Sequence, residues 1–175
     1  MEPNPVPWGL GAVRDVVALP GSGSRFDAVY RAEYVPLLRL AVLLVGQRAA
    51  AEDLVHDAFL RWHGHAGDVE HPKAYLRATL INLCRNRHRG VERESARLVR
   101  VAAGEATDAE LVADAEMLEL IDRLPFQQRA TLVLRYWLGW SEAEIAGALD
   151  CRPGTVKSSA ARALARLREE LSDAD

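Results

Sequence analysis

The sequence predicts an all-α protein made of two small helical bundles joined by a linker. Three observations carry that expectation. Apolar residues recur every three or four positions through most of the chain, the spacing of one buried helix face. Capping patterns stand at the heads of these segments, and Gly or Pro stands at their ends. No segment shows the sustained two-residue alternation of a half-buried strand.

Residues 1–24 are rich in Pro and Gly and read as a flexible extension. Ser24 caps a first helix, with Asp27 in its opening turn, where a carboxylate suits the exposed backbone N–H groups. Phe26, Val29, Tyr30, Leu37, Ala41, Leu44 and Val45 form its apolar face, and Gly46 ends it. A second helix spans about 49–63, with Leu54, Val55, Ala58, Phe59 and Trp62 on one side and Glu52, Asp53, Asp57 and Arg61 elsewhere. After a polar loop, Pro72 starts a third helix, because the N–H it lacks would be unpaired there anyway. Tyr75, Leu76, Thr79, Leu80, Leu83 and Cys84 carry its packing stripe, and Gly90 marks the expected end.

Residues 91–107 read as the linker, followed by the second bundle over 108–175. Thr107 and Glu110 make a capping-box pattern for a helix through Leu111, Val112, Ala115, Leu118 and Ile121. Another helix runs from Pro125 to about Leu138 and stops at Gly139. Ser141 and Glu144 form a second capping box, opening a short helix to about Asp150. Cys151, Arg152, Pro153 and Gly154 make a tight turn. The last helix, 156–171, buries Val156, Ala163, Leu164, Leu167 and Leu171.

The composition, 49% apolar and 27% charged over 175 residues, is that of a soluble globular chain. The longest apolar run, 37–46, is broken by Arg39 and falls well short of the ~20 residues that span a bilayer, so no membrane insertion is expected. The first five residues lack the features of a signal peptide, which points to the cytoplasm. In that reducing compartment Cys84 and Cys151, on different units, are expected to stay free. His56, His63, His65 and His71 lack the Cys pairs or HExxH spacing of a metal site, and no cofactor is expected. A phosphate loop and a nucleophile elbow are also missing, so the chain reads as a binding protein and not an enzyme.

Net charge is only −3, but its distribution is uneven. Eight basic and two acidic residues lie between Lys73 and Arg100, and seven acidic and no basic residues between Val101 and Asp122. The short helix, tight turn and longer helix over 141–171 have the layout of a helix-turn-helix, whose second helix enters the major groove. Ala146 is small at the helix crossing, and Val156 anchors the second helix onto the first. Lys157, Ser158, Ser159 and Arg162 offer donors to phosphates and base edges. Taken alone, these residues leave a packing hairpin and a DNA-reading module both open.

Longer motifs narrow the choice. The runs 124–129 (LPFQQR), 132–136 (LVLRY), 141–146 (SEAEIA) and 154–158 (GTVKS) resemble the fourth region of extracytoplasmic-function sigma factors of RNA polymerase. Residues 26–89 resemble the second region of the same family, with 51–59 (AEDLVHDAF) similar to its core-docking helix and 72–82 (PKAYLRATLIN) to its promoter-melting helix. The ending looks closest to the sigma-E-like branch.

The resemblance implies that Glu52, Asp53 and Asp57 contact core RNA polymerase, and that residues 25–90 bind core and melt the promoter. It implies that Lys73, Arg77, Asn82, Arg85, Arg87 and Arg89 meet the proximal promoter element, with Asn82 and the loop 64–73 holding a flipped base. It assigns the distal element to Thr155, Lys157, Ser158, Ser159 and Arg162, and adds an anti-sigma factor as a partner. Ser159 stands where the family often has Arg, and Asp150 where Gly is common. The acidic stretch 105–122 either threads polymerase channels or masks the basic third helix. The rival reading is a helix-turn-helix regulator that binds DNA without core polymerase.

Overall fold

The protein, described here from a computed structural model covering residues 25–65, 68–95 and 115–172, contains seven α-helices and no strand among those residues. They are α1 (Arg25–Val45), α2 (Arg48–His63), α3 (Pro72–Ser95), α4 (Ala115–Asp122), α5 (Phe126–Leu132), α6 (Glu142–Leu149) and α7 (Pro153–Ser172). The expected all-α architecture of two bundles is observed. The flexible extension, most of the linker and the capping box at Thr107 lie outside the described residues.

The first bundle is α1–α3, closed by Leu37, Val55, Phe59, Trp62, Leu76 and Leu80, all at most 2% exposed. Phe26, Tyr30, Tyr34, Phe59 and Trp62 interlock as an aromatic cluster beneath the head of α1. The second bundle is α4–α7. Between α5 and α6 the chain continues as a π-helical turn, Val133–Trp137, before Gly139 reverses it at φ +69°. A plain α-helix to Leu138 is the sequence expectation. The wider turn instead keeps Val133 and Leu134 inside and turns Tyr136 outward.

Two further boundaries and one core position differ from expectation. Gly90 does not end α3, which continues to Ser95. Gly90 lacks a positive φ and has open space around its Cα, so nothing there stops the helix. The last helix begins at Pro153 and not at Val156, because Pro is pre-set for the first helical position. Leu171 is half exposed, since the helix has by then run past the body it packs on.

The two bundles are not separate beads. Val133, Leu134, Ile145, Ala146, Leu149 and Val156 belong to the same buried cluster as the core of the first bundle. The second half of α1 lies at the junction, against α2 and α3 on one side and α4, α5 and the π-turn on the other. Its residues Leu37, Leu38, Leu40, Ala41, Val42, Leu43 and Leu44 are accordingly all buried. At the end of α1, Gly46 (φ +77°) lies under the Asp122 carboxylate, and a Cβ there would sit 2.2 Å from Oδ1. Asp122 in turn accepts a hydrogen bond from the buried Arg129. Burial lowers the Arg129 guanidinium from its ordinary value, and the Asp122 carboxylate opposes that shift.

Gly46→Ala should therefore destabilise the protein by about 2 kcal/mol, from strained backbone and a displaced Asp122. Urea unfolding measures this, and an unchanged midpoint would mean that Asp122 does not close over Gly46.

Candidate nucleic-acid interface

Three surfaces follow from these elements. On α2, Asp53 and Asp57 are one turn apart and exposed. Glu52 is partly covered and accepts a hydrogen bond from Arg48 Nε at 2.8 Å. Leu60, at 70% exposure, extends the Asp53–Asp57 row by one more turn. Its position outside the apolar stripe of α2 was a signal in the sequence, and the sequence reading missed it.

On α3, Lys73 pairs with Glu33 of α1, Nζ to Oε1 at 3.2 Å. Glu33 is itself buried, and its Oε2 has no hydrogen-bond partner among the described residues. Arg87 and Arg89 are exposed, Arg77 and Arg85 half-buried. The six residues predicted for the proximal element do not share one face. Arg77 and Asn82 line a cleft of about 500 Å³ whose opposite wall is Trp140 and the α6 residues Ala143, Glu144, Gly147 and Ala148. Arg87 instead borders a smaller recess beside Phe126 and Arg129. Arg85 Nη1 donates to the Ala148 carbonyl at 3.2 Å, and His88 stacks on Phe126 with centroids 4.8 Å apart. The basic helix of the first bundle is thus partly covered by the second.

The third surface is the α6–α7 hairpin. Ser141 caps α6 through a complete capping box: its hydroxyl accepts from Glu144 N–H, and its own N–H donates to Glu144 Oε2 at 2.8 Å. Hydrogen bonds from the Ser141 hydroxyl and N–H hold the Glu144 carboxyl below its ordinary value. The helix ends at Asp150 in the left-handed region, φ 53°, a conformation that Asp tolerates better than most side chains. The turn 151–152 follows, and Val156 of α7 is fully buried against Ile145, Ala146 and Leu149.

On α7, Lys157 is exposed (side chain 70%), as are Thr155 and Arg162. Ser158 is half-buried and donates to the Thr155 carbonyl at 3.1 Å. Ser159 corrects the sequence reading: it is 4% exposed, on the packed face, and offers no donor to a duplex. It sits three residues after Val156 and four before Ala163, so helical spacing places it with the core. Two charged residues were missed. Glu142, the first residue of α6, pairs with Lys157 and also with Arg135 of the π-turn.

Neither cysteine is bridged. Cys84 is fully buried, and burial pushes its thiol up to about 12, as befits a structural residue. Among the described residues no group of His, Cys, Asp and Glu could hold a metal, and no helix is long and apolar enough to cross a membrane.

Residues 29–94 match the family model of sigma-70 region 2, and residues 114–167 that of sigma-70 region 4. An RNA polymerase sigma-E factor of Streptomyces avermitilis is 36% identical over 160 residues, covering 89% of each chain. Among solved structures, the sigma factor RpoE of Bartonella quintana, in complex with the anti-sigma factor NepR, superposes with a TM-score of 0.61 at 26% identity. That match covers 84% of this chain and 96% of RpoE. CnrH, in complex with the cytosolic domain of CnrY, gives 0.58 at 28% identity, covering 88% and 92%.

The capping box can be tested directly. Ser141→Ala should raise the Glu144 carboxyl toward its ordinary value in an NMR titration, the backbone N–H bond remaining, and cost about 1 kcal/mol of stability through the lost cap. In the wild type, the contribution of this carboxylate is present above the unfolded value and is lost as pH falls through the lowered folded one. An identical Glu144 titration in the variant would show that the box does not hold in solution.

Proposed function

The chain belongs to the extracytoplasmic-function sigma factors of RNA polymerase, and we propose how its surfaces divide the work of such a subunit. A sigma factor confers promoter recognition and transcription initiation on core polymerase. The observation that carries this function is the pair of region 2 and region 4 matches in tandem, in family order, on a helical scaffold of the family's fold. A lone helix-turn-helix regulator would not need the first bundle, so the rival reading is not favoured.

In this proposal Asp53, Asp57 and the partly covered Glu52 dock on a basic surface of core polymerase, where exposed acids steer association. Leu60, beside them, supplies the apolar contact such an interface needs at its centre. Asn82 meets the edge of a base turned out of the opening duplex. Lys73, Arg77, Arg85, Arg87 and Arg89 attend the backbone around it, and each phosphate contact adds to the salt dependence of binding. Thr155, Lys157, Ser158 and Arg162 read the distal element from the head of α7, with α6 crossing the backbone. Residues 25–90 would act as the core-binding and melting unit and 108–175 as the distal reader.

With α6 across the cleft from Asn82 and the Ala148 carbonyl holding Arg85, the second bundle stands against the face of α3 that an opened strand would use. We read this closed arrangement as that of the chain before it engages core and promoter. Opening it moves α6 off α3 and frees Arg85. An anti-sigma protein fits the scheme as the partner that keeps the chain out of polymerase, as the RpoE complex suggests by analogy. The site of action would be the cytoplasm, where polymerase is.

Run-off transcription with core polymerase on fragmented genomic DNA should give discrete starts that share two spaced upstream elements. Binding to core without transcripts would leave the chain a titrating module. Asp53→Lys should weaken core binding by about tenfold or more, and unchanged affinity would remove Asp53 from the interface. Asn82→Ala should reduce permanganate reactivity of promoter thymines while leaving core binding intact; undiminished reactivity would take Asn82 out of promoter melting.

A further inference from the structure

We propose that Glu142 is a specificity-determining residue, an internal counter-ion that restrains the recognition-helix Lys157 from binding phosphates at large. The inference rests on the reading of α6 and α7 as the DNA-reading hairpin. The two carboxylate oxygens of Glu142 are divided between two cations. Oε1 lies 3.5 Å from Arg135 Nη1, and Oε2 lies 3.6 Å from Lys157 Nζ.

An exposed ion pair is usually of little consequence, because its partners are loosely held and well solvated. Here the anion is the held partner. The Glu142 side chain is 32% exposed against 70% for Lys157. It stands at the N-terminus of α6, where the backbone N–H groups favour negative charge, and Arg135 fixes it from the π-turn. Lys157, at the head of α7, is the more exposed member.

A phosphate that takes Lys157 from solution must approach the Glu142 charge to well within the ~8 Å over which salt screens it. With the Glu142 carboxylate beside it, Lys157 also neutralises that phosphate less completely, so fewer of the cations condensed on DNA are released. In a non-specific complex nothing offsets this, since phosphate contacts supply essentially all of the binding. In the register set by the correct sequence, base contacts on α7 hold the duplex in place. There a lysine already positioned by Glu142 loses less side-chain freedom on binding. The carboxylate therefore weakens binding to arbitrary DNA more than binding to the promoter.

The test uses the full chain assembled with core polymerase. Fluorescence anisotropy compares a promoter duplex recovered from run-off transcription with a shuffled duplex of the same length. Glu142→Gln should tighten binding to the shuffled duplex about two- to fivefold at low salt and steepen its salt slope by about one. Promoter affinity should rise less or not at all, so discrimination falls. Lys157→Ala should weaken binding to both duplexes, and adding Glu142→Gln to it should change nothing further.

Wild-type behaviour of Glu142→Gln alongside weakened Lys157→Ala would overturn the proposal and leave the hairpin reading standing. So would a Glu142→Gln effect that persists without Lys157, since the carboxylate would then act on the duplex by another route. Weaker binding to both duplexes by Glu142→Gln, with an unchanged melting temperature, would also overturn it. A silent Lys157→Ala would overturn the proposal, and the hairpin reading would fall with it if Arg162→Ala were silent as well.

Discussion

The second half of α1 is the constraint on which the rest of the structure depends. From Leu37 to Leu44 every residue but Arg39 is buried, so the helix has no solvent face to give up. A helix that is apolar all round must be covered all round. The first bundle covers one side of it, through α2 and α3. The other side is left for α4, α5 and the π-turn, and the second bundle packs there for the same reason that any apolar surface leaves water. Everything described at the junction follows from that placement: Asp122 over Gly46, His88 on Phe126, and α6 along α3.

Much of this was legible in the sequence because the signals were local. The capping box at Ser141 and Glu144 needs four consecutive residues and appears as read. Pro72 opens α3, and Gly46 ends α1 with the positive φ that its lack of a side chain permits. The run 37–46 read correctly as buried, although nothing local told what would bury it. Gly90 was misread for want of context, since glycine ends a helix only where the backbone turns left-handed. The π-turn at Val133–Trp137 inserts one wider turn into an unbroken apolar pattern, and composition carries no mark of it.

The site was legible in its residue types and less so in its geometry. Motif resemblance brought Lys157, Asn82 and Asp53 forward, and all three are on the surface. Ser159 was brought forward with Lys157 as one of a run of donors at the head of the second helix, although helical spacing points it inward. Glu142 and Arg135 went unremarked because their role is relational: each acquires meaning only from the neighbour that the fold brings to it. The same holds for Glu33, whose pairing with Lys73 joins residues forty positions apart in the chain.

The hydrogen bond from Arg85 to the Ala148 carbonyl has a quantitative consequence. The bond holds the Arg85 guanidinium against α6, so under the proposed scheme the closed chain and the DNA-bound chain would compete for that side chain. Apparent affinity for promoter is then the intrinsic affinity multiplied by the fraction of chains already open. A substitution at the junction, far from any nucleotide, would change that fraction and with it every promoter's occupancy by the same factor. The hierarchy among promoters would stay as it was. Under that scheme packing between the bundles would act as a common gain setting, and the head of α7 as the selector.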